Sequence, residues 1–315
     1  MNNLIEAIRK ARPELAETSL LSYYNQLKKL HKEVVSTEYE IDGFEFLNTE
    51  FQDILSYVEQ KKSLCRRNVL NAVIVAYKTL PESDQDEDVL KNYISLRDEG
   101  NKEYAEWAEK NEKSQTQKDN WITVKEVETI RDTFNNKAEY AKYVFLQLFL
   151  EYPTRNDYRS LRVITHRQLM TLQKLEQTRP ENAPPIVKQN YFVKYANHNY
   201  YIVLNQFKTS KKYPQLRIEI KQEFSKMLRR YLRMIHGQPY LFTNPATGVG
   251  YTTGEFTKWI QSMFASTNKS ISSTILRHVV VSELFSDYMK QSAETARIMG
   301  HSQSMQQLYV KYWFY

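Results

Sequence analysis

Five short segments in the second half of this 315-residue chain carry arginine, lysine, histidine and tyrosine, the side-chain types that act on anionic centres. They are YPTRNDY at 152–158, NQFKTSKKY at 205–213, TILRH at 274–278, ARIMGHS at 296–302 and QLYVKY at 307–312. Guanidinium groups stay protonated and hold phosphate oxygens with paired donors. Arg155 and Arg277 are therefore suited to clamp a phosphodiester.

Chemistry at a phosphodiester needs the remaining residue types as well. The group resists attack because its negative charge repels nucleophiles and becomes more concentrated in the transition state, so catalysis depends on positioning and on cationic side chains. A cationic pocket also favours the phenolate of a tyrosine, whose hydroxyl is otherwise a poor nucleophile at neutral pH. A lysine can donate the proton that the leaving oxygen needs. Such a set requires neither a metal nor a nucleotide cofactor.

In their order and spacing, the five segments resemble the catalytic domain of the tyrosine recombinase (integrase) family over about residues 123–312. The resemblance implies a DNA strand transferase that cuts and rejoins double-stranded DNA through a 3′-phosphotyrosine intermediate. Carried onto this sequence, it assigns catalytic positions to Arg155, Lys208, Thr274, Arg277, His301 and Tyr309. In this assignment Lys208 is the general acid, and His301 is a third donor beside the two arginines.

Two positions depart from the family's pattern. Thr274 stands where the family has a histidine; its hydroxyl can hydrogen-bond a phosphate oxygen but carries no charge. The family most often has its nucleophilic tyrosine nine residues after the second histidine, where this chain has Val310. Tyr309 and Tyr312 are therefore both candidates. A one-residue contraction of the preceding turn is easier to accommodate than a two-residue extension, which favours Tyr309.

The resemblance extends to the N-terminal half, which looks like the family's helical core-binding domain. It also implies a homo-oligomer, a tetramer, assembled on double-stranded DNA. The sequence around Arg155 and Lys208 resembles recombinases of eukaryotic mobile elements and large DNA viruses more than bacterial chromosome-resolution enzymes. Two other functions stay open. One is a type IB topoisomerase, which shares the covalent tyrosine but relaxes supercoils; the other is a DNA-binding protein with a decayed catalytic site, for which Thr274 is the support.

Helical patterns fill the first part of the chain. Apolar residues at 20, 23, 24, 27 and 30 form a single stripe, which predicts an amphipathic helix. A second apolar face runs through residues 66–80. A basic cluster precedes and opens this segment, and it is either a solvated helix end or a DNA contact: Lys61, Lys62, Arg66 and Arg67.

The composition changes after this helical region. A stretch rich in acidic residues begins at Glu82, and residues 111–120 are polar with few apolar side chains to bury. Thr123 and Glu126 then form a capping-box pattern that opens a new helix. We therefore predict a helical core-binding domain at 1–110, a linker at 111–122 and a catalytic domain at 123–315.

The second half combines helices with strands. Residues 143–150 are almost wholly apolar and predict a buried helix that ends before Pro153. Residues 201–204 and 216–220 alternate around a polar centre, which predicts a β-hairpin with a basic tip. The predicted fold class is mainly α with a small β-sheet (α+β), a helical core-binding domain followed by a tyrosine recombinase catalytic domain.

The charge of the chain suits a polyanionic partner. The net charge is +7, but residues 82–113 hold eleven acids and five bases, which leaves 39 bases against 26 acids elsewhere. Residues 207–233 are the most positive part, with nine bases and two acids. A basic surface binds DNA because each neutralised phosphate releases counterions.

The sequence argues against a disulfide-stabilised protein, a metal-binding protein and a membrane-spanning protein. Cys65 is the only cysteine and cannot form an internal disulfide, and no cysteine or histidine cluster has metal-ligand spacing. No apolar run approaches the roughly 20 residues that span a bilayer, and the first residues lack the pattern of a signal peptide. We expect a cytoplasmic or nuclear protein without a metal, a cofactor or a membrane partner.

Overall fold

The structure is a computed structural model that describes residues 3–35, 41–110, 112–182, 188–210, 213, 215–301 and 305. The chain divides into two compact units, residues 1–113 (unit 1) and residues 114–315 (unit 2). None of the helices in these ranges combines the length and the apolar character that a membrane span requires.

The regular secondary structure of unit 1 is entirely helical in its described residues. They are α1 (Asn3–Ala11), α2 (Glu17–Val34), α3 (Phe46–Thr49), α4 (Phe51–Glu59), α5 (Ser63–Tyr77), a 3-10 turn (Glu82–Asp84) and α6 (Glu87–Glu109). Their apolar faces share one core. The predicted stripe of α2 is confirmed, because Leu20, Tyr24, Leu27 and Leu30 are buried in that core. Because these positions recur every three or four residues, the opposite face of α2 stays polar.

Helices α5 and α6 form the most extensive helix pair of unit 1. The apolar face predicted after residue 66 is confirmed, since Leu70, Val73 and Tyr77 are buried. Helix α6 begins after Asp86, whose carboxylate accepts hydrogen bonds from the backbone N–H groups of the next turn at 2.8 and 3.2 Å. This cap satisfies donors that have no partner inside the helix.

Unit 2 contains seven α-helices and four strands in its described residues. The helices are α7 (Gln115–Asp119), α8 (Val124–Thr133), α9 (Tyr140–Glu151), α10 (His166–Thr178), α11 (Ser225–Met234), α12 (Thr253–Met263) and α13 (Ser273–Ile298). The strands are β1 (Arg162–Thr165), β2 (Tyr191–Lys194), β3 (Tyr200–Leu204) and β4 (Leu216–Ile220). Helix α7 therefore lies within the stretch predicted as a linker.

The four strands form one sheet in the order β1-β2-β3-β4. Strands β1 and β2 are parallel and are joined through α10, whereas β2, β3 and β4 are antiparallel neighbours. Residues alternate between the two faces. Ile202, Leu204 and Ile220 pack into the main core of unit 2, and Val193 and Val203 pack into a smaller core together with side chains of α10.

The structure confirms the fold class, mainly α with a small β-sheet. The hairpin predicted around Lys208 is the β3–β4 pair, with Leu204 opposite Leu216. The predicted capping box is present, since the backbone N–H of Glu126 donates to the Thr123 hydroxyl at 3.2 Å and the Thr123 N–H donates to the Glu126 carboxylate at 2.7 Å. Helix α9 is buried and ends at Glu151, two residues before Pro153.

Candidate functional site

Arg155 lies where the chain turns sharply after α9. Pro153 prevents the helix from continuing, and a 3-10 helix (Asn156–Ser160) starts directly after Arg155. Tyr158 anchors this turn, because its ring is buried and its hydroxyl donates to the carbonyl of Tyr152 at 2.8 Å. The Arg155 side chain itself remains exposed. The turn therefore holds the backbone of an arginine whose guanidinium faces solvent.

Asp157 is a buried carboxylate in the same turn, and no sequence motif identified it as a site residue. It accepts a hydrogen bond from the backbone N–H of Arg155 at 3.2 Å. Burial raises the pKa of Asp157, while the charges of Arg159, Arg155 and Arg277 oppose the increase. Its place two residues after Arg155 was the available signal, because a short carboxylate in a tight turn often accepts a nearby backbone N–H.

Arg277 lies in the second turn of α13. The Ser272 hydroxyl caps this helix by accepting from the backbone N–H of Ile275 at 3.3 Å. The neighbouring Ser273 hydroxyl donates to the Asn156 side-chain oxygen at 2.5 Å, which ties the start of α13 to the Arg155 turn. Arg277 is half-buried, and burial lowers its pKa, with a further decrease from the positive charge of Arg155. The fold therefore places two like charges near each other.

Lys208 is exposed in the loop between β3 and β4. The base of this loop is fixed by Asn190, whose side-chain oxygen accepts from the backbone N–H groups of Asn205 at 2.9 Å and Gln206 at 2.8 Å. The Asn190 amide also donates to the Gln206 carbonyl at 2.8 Å. Because Asn190 is buried and holds the two residues that follow β3, Lys208 extends from an anchored base.

These three side chains line one cleft with a volume of about 400 Å³. Arg155, Arg277 and Lys208 provide its cations, and Asp157 also lines it. Within the described part of the chain, neither guanidinium makes a side-chain hydrogen bond or an ion pair. The donors are therefore available for an anion, and paired guanidinium donors suit phosphate oxygens.

The structure does not bring Thr274 or His301 into this cleft. Thr274 is exposed and does not line it. His301 follows the far end of α13, and a rise of about 1.5 Å per residue puts that end roughly 30 Å along the helix from Arg277. Tyr309 and its alternative Tyr312 lie outside the described residues.

A tight helix ending holds His301. Gly300 has a φ of 68°, a left-handed conformation that favours glycine. The N–H of Gly300 donates to the carbonyl of Arg297 at 3.2 Å, and the N–H of His301 donates to that of Ala296 at 3.1 Å. This pair of hydrogen bonds is a Schellman motif. The glycine-histidine pair therefore serves here to end a helix.

The basic cluster of α5 differs from the cleft. Both carboxylate oxygens of Glu103 on α6 accept from Arg66, at 2.8 and 2.9 Å. The Arg67 guanidinium lies 4.8 Å from the ring centre of Tyr104, and the Lys61 ammonium lies 3.9 Å from that of Tyr57. Arg66, one of the four predicted DNA contacts, therefore has a counter-charge within its own unit.

Comparison with known proteins gives a structural likeness but no match in sequence. No protein-family model matches the chain, and comparison with curated proteins finds no match. Among solved structures, the chain is similar to the crystal structure of XerA recombinase, with a TM-score of 0.36 and 13% sequence identity over 99% of this chain and 94% of that chain.

Proposed function

We propose that this protein is a site-specific DNA recombinase of the tyrosine type, which cleaves and rejoins double-stranded DNA through a 3′-phosphotyrosine. The observation that carries the proposal is the convergence of Arg155, Arg277 and Lys208 on one cleft. The three come from a turn, a helix start and a hairpin loop, and none of them forms an ion pair with a described residue. A cleft of this kind suits a group that is already anionic and gains charge in the transition state.

In this proposal each of these residues has one role in a transesterification. Arg155 and Arg277 hold the nonbridging oxygens, and the Tyr309 oxygen attacks the phosphorus. The bond from phosphorus to the 5′ oxygen breaks, and Lys208 protonates that oxygen as it leaves. The phosphotyrosine retains the energy of the phosphodiester, so a new 5′ hydroxyl can reverse the step.

His301 and Thr274 enter the proposal through the sequence resemblance alone. In the described structure His301 lies at the opposite end of α13 from Arg277. Structural support for the proposed chemistry is therefore confined to the two arginines and the lysine, and the nucleophile Tyr309 also comes from the resemblance. The resemblance also supplies the proposed assembly, a tetramer on double-stranded DNA.

A suicide substrate, which has a nick beside the cleavage site, tests the proposal. Cleavage then frees the short fragment that carries the 5′ hydroxyl, and the covalent protein–DNA adduct is trapped. We expect the wild-type chain and Tyr312→Phe to form the adduct and Tyr309→Phe to form none. Adduct mapped to residue 312 would move the nucleophile. Absence of any adduct, with DNA binding intact, would replace the enzyme by a DNA-binding protein. Relaxation of supercoils without a specific site would favour a topoisomerase.

A further inference from the structure

Strands β2 and β3 stop pairing through their backbones just before the loop that carries Lys208. The last pair of their register is Tyr191 opposite Val203. Beyond this pair, side-chain amides connect the two strands. Asn190, the residue before β2, contacts the two residues that follow β3 through three hydrogen bonds of 2.8 to 2.9 Å. A side chain therefore takes over the role of the backbone ladder at the base of the loop.

A second asparagine extends this connection to β4. The Asn205 side-chain amide donates to the carbonyl of Gln189 at 2.7 Å, and its oxygen accepts from the Gln215 amide at 2.7 Å. Gln215 directly precedes β4. The segments that enter β2, leave β3 and enter β4 are therefore tied together. Asn190 is the buried member of this amide network, with 5% of its surface exposed.

The backbone of Lys208 itself is held on both sides. Phe207 precedes it and packs its half-buried side chain against the main core of unit 2. After it, the backbone N–H of Ser210 donates to the Phe207 carbonyl at 3.0 Å, so Lys208 occupies the second position of a β-turn. The Lys208 side chain is exposed, but it starts from a backbone that has a fixed place.

Loss of the Asn190 side chain would release the start of this turn. Its oxygen is the acceptor for the backbone N–H groups of Asn205 and Gln206. Donors that lose a buried partner are unfavourable, so these two N–H groups would turn towards water. Lys208, two residues further along the chain, would move with them.

We propose that Asn190 is a positioning residue for proton transfer by Lys208. It holds the turn so that the Lys208 ammonium lies within hydrogen-bond distance of the leaving 5′ oxygen when the bond to phosphorus breaks. A general acid acts at about 2.6–3.2 Å from the atom that it protonates, and a misplacement of about 1 Å can cost on the order of 10²-fold in rate. This inference deepens the proposed function, on which the role of Lys208 rests.

Cleavage of two substrates by Asn190→Ala tests this inference. On a suicide substrate with an ordinary phosphodiester, Asn190→Ala should slow adduct formation by about tenfold, a smaller loss than removal of the lysine itself. On the same substrate with sulfur at the 5′-bridging position, its rate should return to within about twofold of wild type, because a thiolate leaves without a proton. An Asn190 that only stabilises the fold would slow both reactions equally, and that result would overturn the inference.

A double variant measures whether Asn190 acts through Lys208. Without the lysine there is nothing left to position, so Asn190→Ala combined with Lys208→Ala should cleave within about twofold of Lys208→Ala alone. Losses that multiply would overturn the inference. Asn244→Ala is the matched control, because Asn244 is a buried asparagine of unit 2 that accepts from the Ala246 N–H at 3.0 Å and does not line the cleft. It should stay within about twofold of wild type on both substrates.

Amide hydrogen exchange, measured by NMR, separates this inference from the proposed function. Asn190→Ala should speed exchange of the Ser210 N–H by about tenfold or more, because the turn opens more often, whereas Lys208→Ala should leave it unchanged. Unchanged exchange in Asn190→Ala would remove the inference even if the wild-type chain forms the adduct. Faster exchange in Asn190→Ala, with no adduct from the wild-type chain, would remove the recombinase and keep Asn190 as the residue that holds the Lys208 turn.

Discussion

Units 1 and 2 each contain neighbouring arginines, but the arginines differ in whether a carboxylate pairs with them. On α5 of unit 1, Arg66 is held by both carboxylate oxygens of Glu103, and Arg67 lies over the Tyr104 ring. In the cleft of unit 2, the one buried carboxylate, Asp157, accepts from the backbone N–H of Arg155 and makes no side-chain hydrogen bond to either guanidinium among the described residues. The same residue type is neutralised in one unit and left with free donors in the other.

This difference shows what a counter-charge does. A carboxylate beside Arg66 neutralises its charge and occupies one guanidinium nitrogen, which leaves less to offer to an external phosphate. In the cleft, burial and the charge of Arg155 lower the pKa of Arg277, which means that the protein holds the cation there against an opposing cost. An anionic ligand would remove that cost. Local basic composition alone therefore does not identify a phosphate-binding site.

The largest expected effect comes from removing one cleft arginine. Arg155→Ala and Arg277→Ala should each slow covalent adduct formation by about 10²–10³-fold, because each removes a donor aimed at developing charge. DNA affinity should change by less than about threefold. Quantified adduct on the suicide substrate and a gel-shift titration measure the two effects.

Arg66→Ala is the control from the other region, and it should leave adduct formation within about threefold of wild type. If the cleft variants lost binding and cleavage to the same extent, the two arginines would have a structural role. If Arg66→Ala were as damaging as they are, the distinction between the two regions would fail.

Lys208 should have the next largest effect. Lys208→Ala should slow cleavage by on the order of 10²-fold, because the leaving 5′ oxygen loses its proton donor. A substrate with sulfur at the 5′-bridging position should restore the rate, since a thiolate leaves without a proton. Lys221→Ala is the control, because Lys221 is an exposed lysine that pairs with Glu151.

Persistent loss with the sulfur substrate would assign the general acid to another group. Lys211 and Lys212 are the next candidates, and both lie outside the described residues.

A smaller effect should come from releasing Arg66. DNA binding by this basic chain should weaken steeply with salt, and Glu103→Gln should strengthen it a few-fold at low salt by freeing a phosphate contact. The slope of log affinity against log salt should steepen by about 0.9, the value for one added phosphate contact. Glu106→Gln removes the same charge from the same helix and is the control. Identical slopes for the two variants would show that Arg66 does not reach DNA.

The smallest effect concerns Asp157 and pH. Burial raises the pKa of Asp157 in the folded state, so the folded state binds this proton more tightly than the unfolded chain. The contribution of Asp157 to the stability of the fold is therefore fully present below its unfolded pKa of about 4. It is lost as pH rises through the raised pKa of the folded state. Asp157→Asn should match wild type near pH 3.5 and become relatively more stable by pH 7.

Urea unfolding at several pH values measures this difference. A relative stability of Asp157→Asn that declines between pH 3.5 and pH 7 would show that the charged carboxylate stabilises the fold through the surrounding arginines.

Local patterns in the sequence determined the elements that carry the site. The apolar run at 143–150 predicts α9, and Pro153 explains why that helix ends. Thr123 and Glu126 explain why α8 begins. Each of these effects acts between residues within about one helical turn. The alternation on both sides of Lys208 similarly determined the β3–β4 hairpin.

Only the tertiary structure decided which of these residues meet. Arg155 and Arg277 share a cleft because the Ser273 hydroxyl joins the start of α13 to Asn156, a contact between residues 117 positions apart. Arg66 is neutralised because α6 packs on α5 and brings Glu103 to it across 37 positions. The exposure of Leu216 beside the cleft cations likewise follows from where the hairpin packs. Contacts at such separations depend on how whole helices and strands pack. Local sequence patterns span only a few neighbouring residues and therefore do not determine that packing.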